Sequence, residues 1–276
     1  MNLFNSIILG AVEGLTEFLP ISSTGHLIIA QKLLGMETVD SFFTTVVQSG
    51  AILAAIFFYR VRIWSILVDT WQLFRNGLRP TVTTTNQRLG LWIILGTIPT
   101  LAIAYLLRKY VDGWQNNLYI VAISTIVFGI VFYGIEVWQR SRLNLKTIDN
   151  VGVLPIIVMG LTQAVAIIPG VSRSGATVVG GLASDVKLKD SIDIAFIMGI
   201  PVLLAATLYK VASEFQNITS EELIFAAVGT VSAFVVGYFS IKLTLGFLQR
   251  FGFLPFMIYR IVLGTALLFL VMSGRI

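Results

Sequence analysis

The sequence predicts an all-α polytopic membrane protein: about six transmembrane helices plus two re-entrant helical hairpins, arranged as an inverted-topology repeat. Composition is the first reason. Charged residues are 12% of the 276-residue chain, against about 25% in a soluble domain. Hydrophobic residues reach 56%, and mean hydropathy is +0.88. The second reason is a set of nearly uncharged runs of membrane-crossing length, about 20 residues each. The third is a pair of apolar segments broken by proline, glycine and Ser/Thr clusters. Residues 1–276 read as a single integral membrane domain, with halves at roughly 1–145 and 151–276.

Residues 3–34 come first. They are apolar but carry Glu13, Glu17, Pro20 and the run Ser22-Ser23-Thr24-Gly25-His26. Glu13 and Glu17 interrupt what would be the apolar core of a signal peptide, and no basic stretch precedes it. Irregular backbone at membrane depth survives only when buried in protein or lining a wet cavity. The segment is therefore expected to form a re-entrant helix–loop–helix. Residues 151–184, broken at Pro169, are expected to do the same. The simple spans are Phe43–Tyr59, Leu89–Leu107, Leu118–Trp138, Ile192–Tyr209, Leu223–Ile241 and Leu254–Met272.

Charge sets the expected orientation. Arg60, Arg62, Arg75, Arg79 and Arg88 face Asp69 alone in what reads as a loop after the first span. Arg140, Arg142 and Lys146 follow the third. The positive-inside rule puts both in the cytoplasm and both termini outside. Arg108 and Lys109 then fall outside, a mild conflict. Trp64, Trp92, Trp114 and Trp138 suit interfacial anchoring. The net charge of +5 thus belongs to membrane orientation and predicts no nucleic-acid partner. The lack of cysteine excludes disulfides and thiolate chemistry.

The halves resemble each other. Gly10-Ala-Val-Glu13 parallels Gly160-Leu-Thr-Gln163, and Ser22-Ser23-Thr24-Gly25 parallels Ser172-Arg173-Ser174-Gly175. Gly96-Thr97-Ile98 parallels Gly229-Thr230-Val231. One hairpin and three spans per half is an odd number of crossings, so the second copy must be inverted. The two hairpins then enter from opposite faces and meet near the middle.

Each hairpin carries its own chemistry. Glu13 and Glu17, one helical turn apart, share a face, and two such carboxylates need a shared proton or a cation. An all-oxygen ligand set suits Mg²⁺ or Ca²⁺. His26, the only histidine, is a candidate base or nucleophile. Ser23 is the competing nucleophile. In the second hairpin Gly170 and Gly175 permit close backbone approach, and Ser172, Ser174 and Thr177 offer hydroxyls. Arg173 adds a planar fork for phosphate, or pairs with Glu13 or Glu17 when no ligand is bound. Gln48 and Gln163 are weaker candidates for lining the cavity. Arg260, about two turns into the last span, is expected to snorkel or pair with helix ends.

The runs Glu13–His26 and Pro169–Thr177 closely resemble the two signature motifs of the BacA/UppP family of bacterial inner-membrane undecaprenyl-diphosphate phosphatases. Val46-Val47-Gln48 and Pro255–Arg260 extend the resemblance over nearly the whole chain. It implies hydrolysis of undecaprenyl diphosphate to undecaprenyl phosphate and phosphate, recycling of the cell-wall lipid carrier, and bacitracin resistance. It also implies a divalent cation on Glu13 and Glu17. Glu17, Ser23, His26 and Arg173 become the expected catalytic set, with Ser22, Gly170, Ser172, Arg173, Ser174, Gly175 and Thr177 binding substrate. The segment Ser184–Asp190 departs from the family pattern. Expected partners are the lipid substrate and the membrane, with a homodimer left open. The site is expected to face the extracytoplasmic side. The alternative reading is a secondary transporter or flippase for a polyprenyl phosphate lipid, because broken helices meeting at midplane also build transporters.

Overall fold

The computed structural model describes residues 1–36, 41–75, 77, 84–115, 117–214 and 219–274. Arg79, expected in a basic loop, lies outside them. The described chain is helical throughout: α1 (Leu3–Thr16), α2 (Ser23–Leu33), α3 (Ser41–Phe58), α4 (Arg60–Arg75), α5 (Thr85–Gln115), α6 (Leu118–Arg140), α7 (Val153–Val165), α8 (Arg173–Ala183), α9 (Leu188–Glu214), α10 (Ser220–Phe251) and α11 (Leu254–Met272). Five of these helices are long and apolar enough to cross a membrane, and the bent pair α3–α4 raises the number to six. Each expected span falls within one helix, apart from Tyr59 at the α3–α4 break. Several helices run further, because apolar runs mark only the part in hydrocarbon.

The hairpins are short for a physical reason. Helices α1 and α7 have 14 and 13 residues, and α2 and α8 have 11 each. At 1.5 Å per residue each covers roughly 15–20 Å, too little for a hydrocarbon layer of about 30 Å. The loops at 17–22 and 166–172 therefore turn inside the fold.

One expectation is corrected. The arginine-rich segment after the first span is helix α4, bent 79° from α3. Its Ile66, Thr70 and Leu73 are buried, and the helix packs against α5. Val61, Trp64, Leu67, Trp71 and Phe74 form an exposed apolar stripe at helical spacing. The arginines masked that period in a reading based on charge.

The two hairpins are seated in similar ways. Helix α1 packs on α10 of the other half, and α7 packs on α5. A Cβ at Gly10 would run into the Gly229 carbonyl, and one at Gly160 into the Gly96 carbonyl. These are the glycines that the sequence comparison aligned. Each hairpin thus leans on the opposite half through a small-residue contact of the kind that lets membrane helices approach closely. Gly10→Val is expected to destabilise the fold by about 1–3 kcal/mol through overpacking. Thermal melting in micelles checks this; an unchanged midpoint would remove Gly10 from the seating.

The Ser184–Asp190 segment is tied down locally. Gln139 donates to the Leu182 and Val186 carbonyls, and Arg142 pairs with Asp185 at 3.1 Å. Its departure from the family pattern therefore sits at the far end of α8 from the polar loop.

Candidate active site

The two loops are built alike. Ser22 precedes α2 with φ 73° and ψ 97°; Ser172 precedes α8 with φ 78° and ψ 110°. A non-glycine residue with positive φ is uncommon and costs about 1–3 kcal/mol. Each serine caps its own helix: Ser22 Oγ accepts from the Gly25 N–H at 3.4 Å, and Ser172 Oγ from the Gly175 N–H at 3.3 Å. The result is a pair of helix N-termini carried on strained turns.

Between them Glu17, Ser23 and Arg173 converge. Ser23 Oγ donates to Glu17 Oε2 at 2.6 Å. Arg173 Nη2 donates to Glu17 Oε1 at 2.7 Å. Gln48 adds a longer bond to Glu17 Oε2 at 3.4 Å. The Glu17 side chain is 3% exposed and that of Arg173 13%, so this is a largely desolvated pair. Arg173 Nη1 also reaches the Ala195 carbonyl on α9 at 3.5 Å, while its Nε has no hydrogen-bond partner among the described residues. The guanidinium is thus only partly satisfied.

A cavity of about 170 Å³ opens on this group, lined by Glu17, Ser22, Ser23, Gly170, Ser172 and Arg173 among others. A neighbouring hollow of about 80 Å³ shares Ser23, Thr24 and Gln48 and adds Glu13. Glu13 is 1% exposed, and its Oε1 has no hydrogen-bond partner among the described residues. A buried, unsatisfied carboxylate oxygen beside a second carboxylate fits a cation site. Glu17 is already engaged by Arg173 and Ser23, so Glu13 is the freer ligand. Among the described residues no cluster of three or more His, Cys, Asp or Glu exists, so the remaining ligands would have to be hydroxyls, water or substrate oxygens.

A family description, bacitracin resistance protein BacA, matches residues 6–266 of this chain. The chain belongs to the BacA family. It is 39% identical over 275 residues to an undecaprenyl-diphosphatase of Persephonella marina, covering 99% of this chain and 100% of the relative. An undecaprenyl-diphosphatase 1 of Oenococcus oeni is 36% identical over 286 residues, covering 99% and 98%. An undecaprenyl-diphosphatase of Bdellovibrio bacteriovorus is 34% identical over 280 residues, covering 100% and 98%.

In this BacA-family chain several expected site residues stand behind the cavity rather than in it. Ser174 Oγ donates to the Glu17 carbonyl at 3.1 Å and so joins the two loops. Gly175 lies against Phe132 and Pro20, where a Cβ would not fit. Thr177 is fully buried and donates to Gln163 Oε1 at 3.1 Å. These three support the walls; Ser22, Gly170, Ser172 and Arg173 form them. Helix geometry turns Ser174 and Gly175 away from the face of Arg173; Thr177, one turn further along that face, is taken up by Gln163 of α7.

His26 lies outside the lining as well. Its Nδ1 meets the Ser22 carbonyl at 2.7 Å and its Nε2 meets the Tyr259 hydroxyl at 2.6 Å. A carbonyl only accepts, so in the neutral ring Nδ1 carries the proton and the tyrosine donates to Nε2. The two rings are nearly parallel, at 9°. Both nitrogens are occupied, and the base hydrogen-bonded to Ser23 is Glu17.

Of the two expectations for Arg260, snorkelling is corrected, while pairing with helix ends holds for three of its acceptors, Pro20, Gly170 and Val171, in the turns that lead into α2 and α8. Arg260 is fully buried, and its guanidinium donates only to backbone carbonyls. Sequence reasoning also passed over Tyr259, Ser124 and Thr125. Ser124 donates to the Pro169 carbonyl and Thr125 to that of Gly170. Small hydroxyl residues in an apolar span were their only trace.

Proposed function

We propose that this chain hydrolyses undecaprenyl diphosphate to undecaprenyl phosphate and inorganic phosphate. One observation carries the reading: a serine hydroxyl 2.6 Å from a buried glutamate whose other oxygen is 2.7 Å from an arginine. That is a nucleophile, its base and a phosphate grip in one group. The full-length relatives bearing the name undecaprenyl-diphosphatase supply the substrate class.

The steps follow from the geometry. The terminal phosphate enters the cavity, and Arg173 divides its donors between that phosphate and Glu17. The free N–H groups at the start of α8 face the same anion. Ser23 Oγ attacks phosphorus while its proton passes to Glu17. The bond to the bridging oxygen breaks, and undecaprenyl phosphate leaves. Glu17 passes that proton to the departing phosphate; water then attacks the phosphoserine, giving a proton to Glu17, which returns it to the Ser23 oxygen as the phosphoester bond breaks and inorganic phosphate is released. Fixed donors and a desolvated site lower the barrier by stabilising charge that develops in transfer. Glu13, with Glu17, would hold Mg²⁺ or Ca²⁺, which neutralises phosphate charge when bound. Chelation of divalent ions is expected to abolish phosphate release, with recovery on adding Mg²⁺ or Ca²⁺ back. Full activity in excess chelator would remove the metal from the scheme.

The biological setting we infer is the bacterial inner membrane with the site on its extracytoplasmic side, in keeping with the arginine bias of the segments after the first and third expected spans. Hydrolysis there returns the lipid carrier to cell-wall synthesis and removes the diphosphate form that bacitracin sequesters. The test is phosphate release from undecaprenyl diphosphate by purified protein in micelles, where no second compartment exists. Lipid binding without release would favour a transporter.

A further inference from the structure

Arg260 is a buried ionisable group that this scheme does not use. It sits on α11 with 0% exposure. Its Nε donates to the Thr125 carbonyl at 2.9 Å. Nη1 donates to the carbonyls of Pro20 and Val171, both at 3.0 Å. Nη2 donates to Gly170 at 2.8 Å and, more weakly, to Ser124 at 3.4 Å. All five donors therefore end on backbone, and among the described residues no ion pair to an acid is formed. Gly129 on α6 gives the side chain its room.

The acceptors are not arbitrary. Pro20 and Gly170 occupy equivalent places, each two residues before the strained serine, Ser22 or Ser172. One planar group thus bonds matching carbonyls of both repeats, close to where the halves are related. The peptides have a direction too. In a trans peptide the C=O and the next N–H point opposite ways, and no cis bond is present among the described residues. With the Val171 carbonyl on the guanidinium, the Ser172 N–H faces away from it, and Ser172 lines the cavity. A buried cation without a counter-anion also adds positive potential behind a phosphate site.

We propose that Arg260 is a positioning residue for phosphate transfer. It clamps the two re-entrant loops together and orients the Gly170–Ser172 peptides, so that Ser23 and Arg173 meet across the repeat. The proposal rests on the phosphatase reading given above. Arginine is suited to it because a rigid planar fork serves several carbonyls at once; lysine has three donors and no plane.

The test compares wild type with Arg260→Lys, which keeps the charge, and Arg260→Gln, which does not. Because the chain has no cysteine, spin labels can be placed through Leu33→Cys and Ala183→Cys at the exposed far ends of α2 and α8. Arg260→Lys is expected to lower kcat by about 30-fold or more, with KM within about 3-fold and melting little changed. The distance distribution between the labels should broaden. In an Arg173→Ala background the same change should cost less than about 3-fold, since the geometry it protects is already lost. Arg260→Gln should lose at least as much as lysine. Full kcat in Arg260→Lys, a loss that multiplies independently with Arg173→Ala, or an unchanged label distance would overturn the clamp. If wild type itself releases no phosphate, the phosphatase reading fails, and the label distance alone judges the clamp.

Discussion

Ser23→Ala is expected to reduce phosphate release by about 10³-fold or more while the protein stays folded. The Ser23 hydroxyl lies in the cavity lining and donates to the Glu17 carboxylate at 2.6 Å. Removing it deletes both the nucleophile and the proton that Glu17 accepts. Glu17→Gln should be comparably damaging, because an amide cannot take the proton and pairs poorly with Arg173. Rapid quench with labelled substrate should then trap phosphate on Ser23 in wild type. Label on His26 instead, or near-normal release by Ser23→Ala, would refute the assignment. The geometry argues against His26, whose nitrogens are held by Ser22 and Tyr259.

Arg173→Ala should lower kcat/KM by roughly 10³-fold, equivalent to about 4 kcal/mol of transition-state stabilisation. Two losses combine. The terminal phosphate loses a planar charged donor, and Glu17, only 3% exposed, loses its guanidinium partner. The second loss should also show as a lower melting temperature. Arg173→Lys retains charge without the fork and should recover part of the activity but not all. Phosphate release by Arg173→Ala within about 10-fold of wild type would exclude the arginine from the reaction.

Much of this architecture was legible in the chain itself. Apolar runs bounded the membrane helices because hydrocarbon tolerates little else. Pro20, Pro169 and their glycines marked where two of those runs fail to cross. The motif pair Ser22–Gly25 and Ser172–Gly175 announced the repeat, since a helix cap on a turn is a local device written in adjacent residues. Glu17, Ser23 and Arg173 stood out because such groups are costly at membrane depth. Helix α4 was missed where arginines outweighed an apolar period of three to four.

What the chain could not show was which polar group faces which. Ser174, Gly175 and Thr177 belong to the same motif as Arg173, yet they brace α1, α7 and Phe132 while Arg173 meets Glu17. His26 lies three residues beyond Ser23 and is nonetheless held by Tyr259, 233 residues away in sequence. Arg260 read as a residue that snorkels or pairs with helix ends, and it proves to be fastened to both loops. The sequence by itself determined the class of fold, the repeat and the stock of reactive groups, because these follow from hydrophobicity and local backbone chemistry. The tertiary structure alone decided their pairing. The pair Glu17 and Arg173 lies 156 residues apart in sequence, and no local rule connects them.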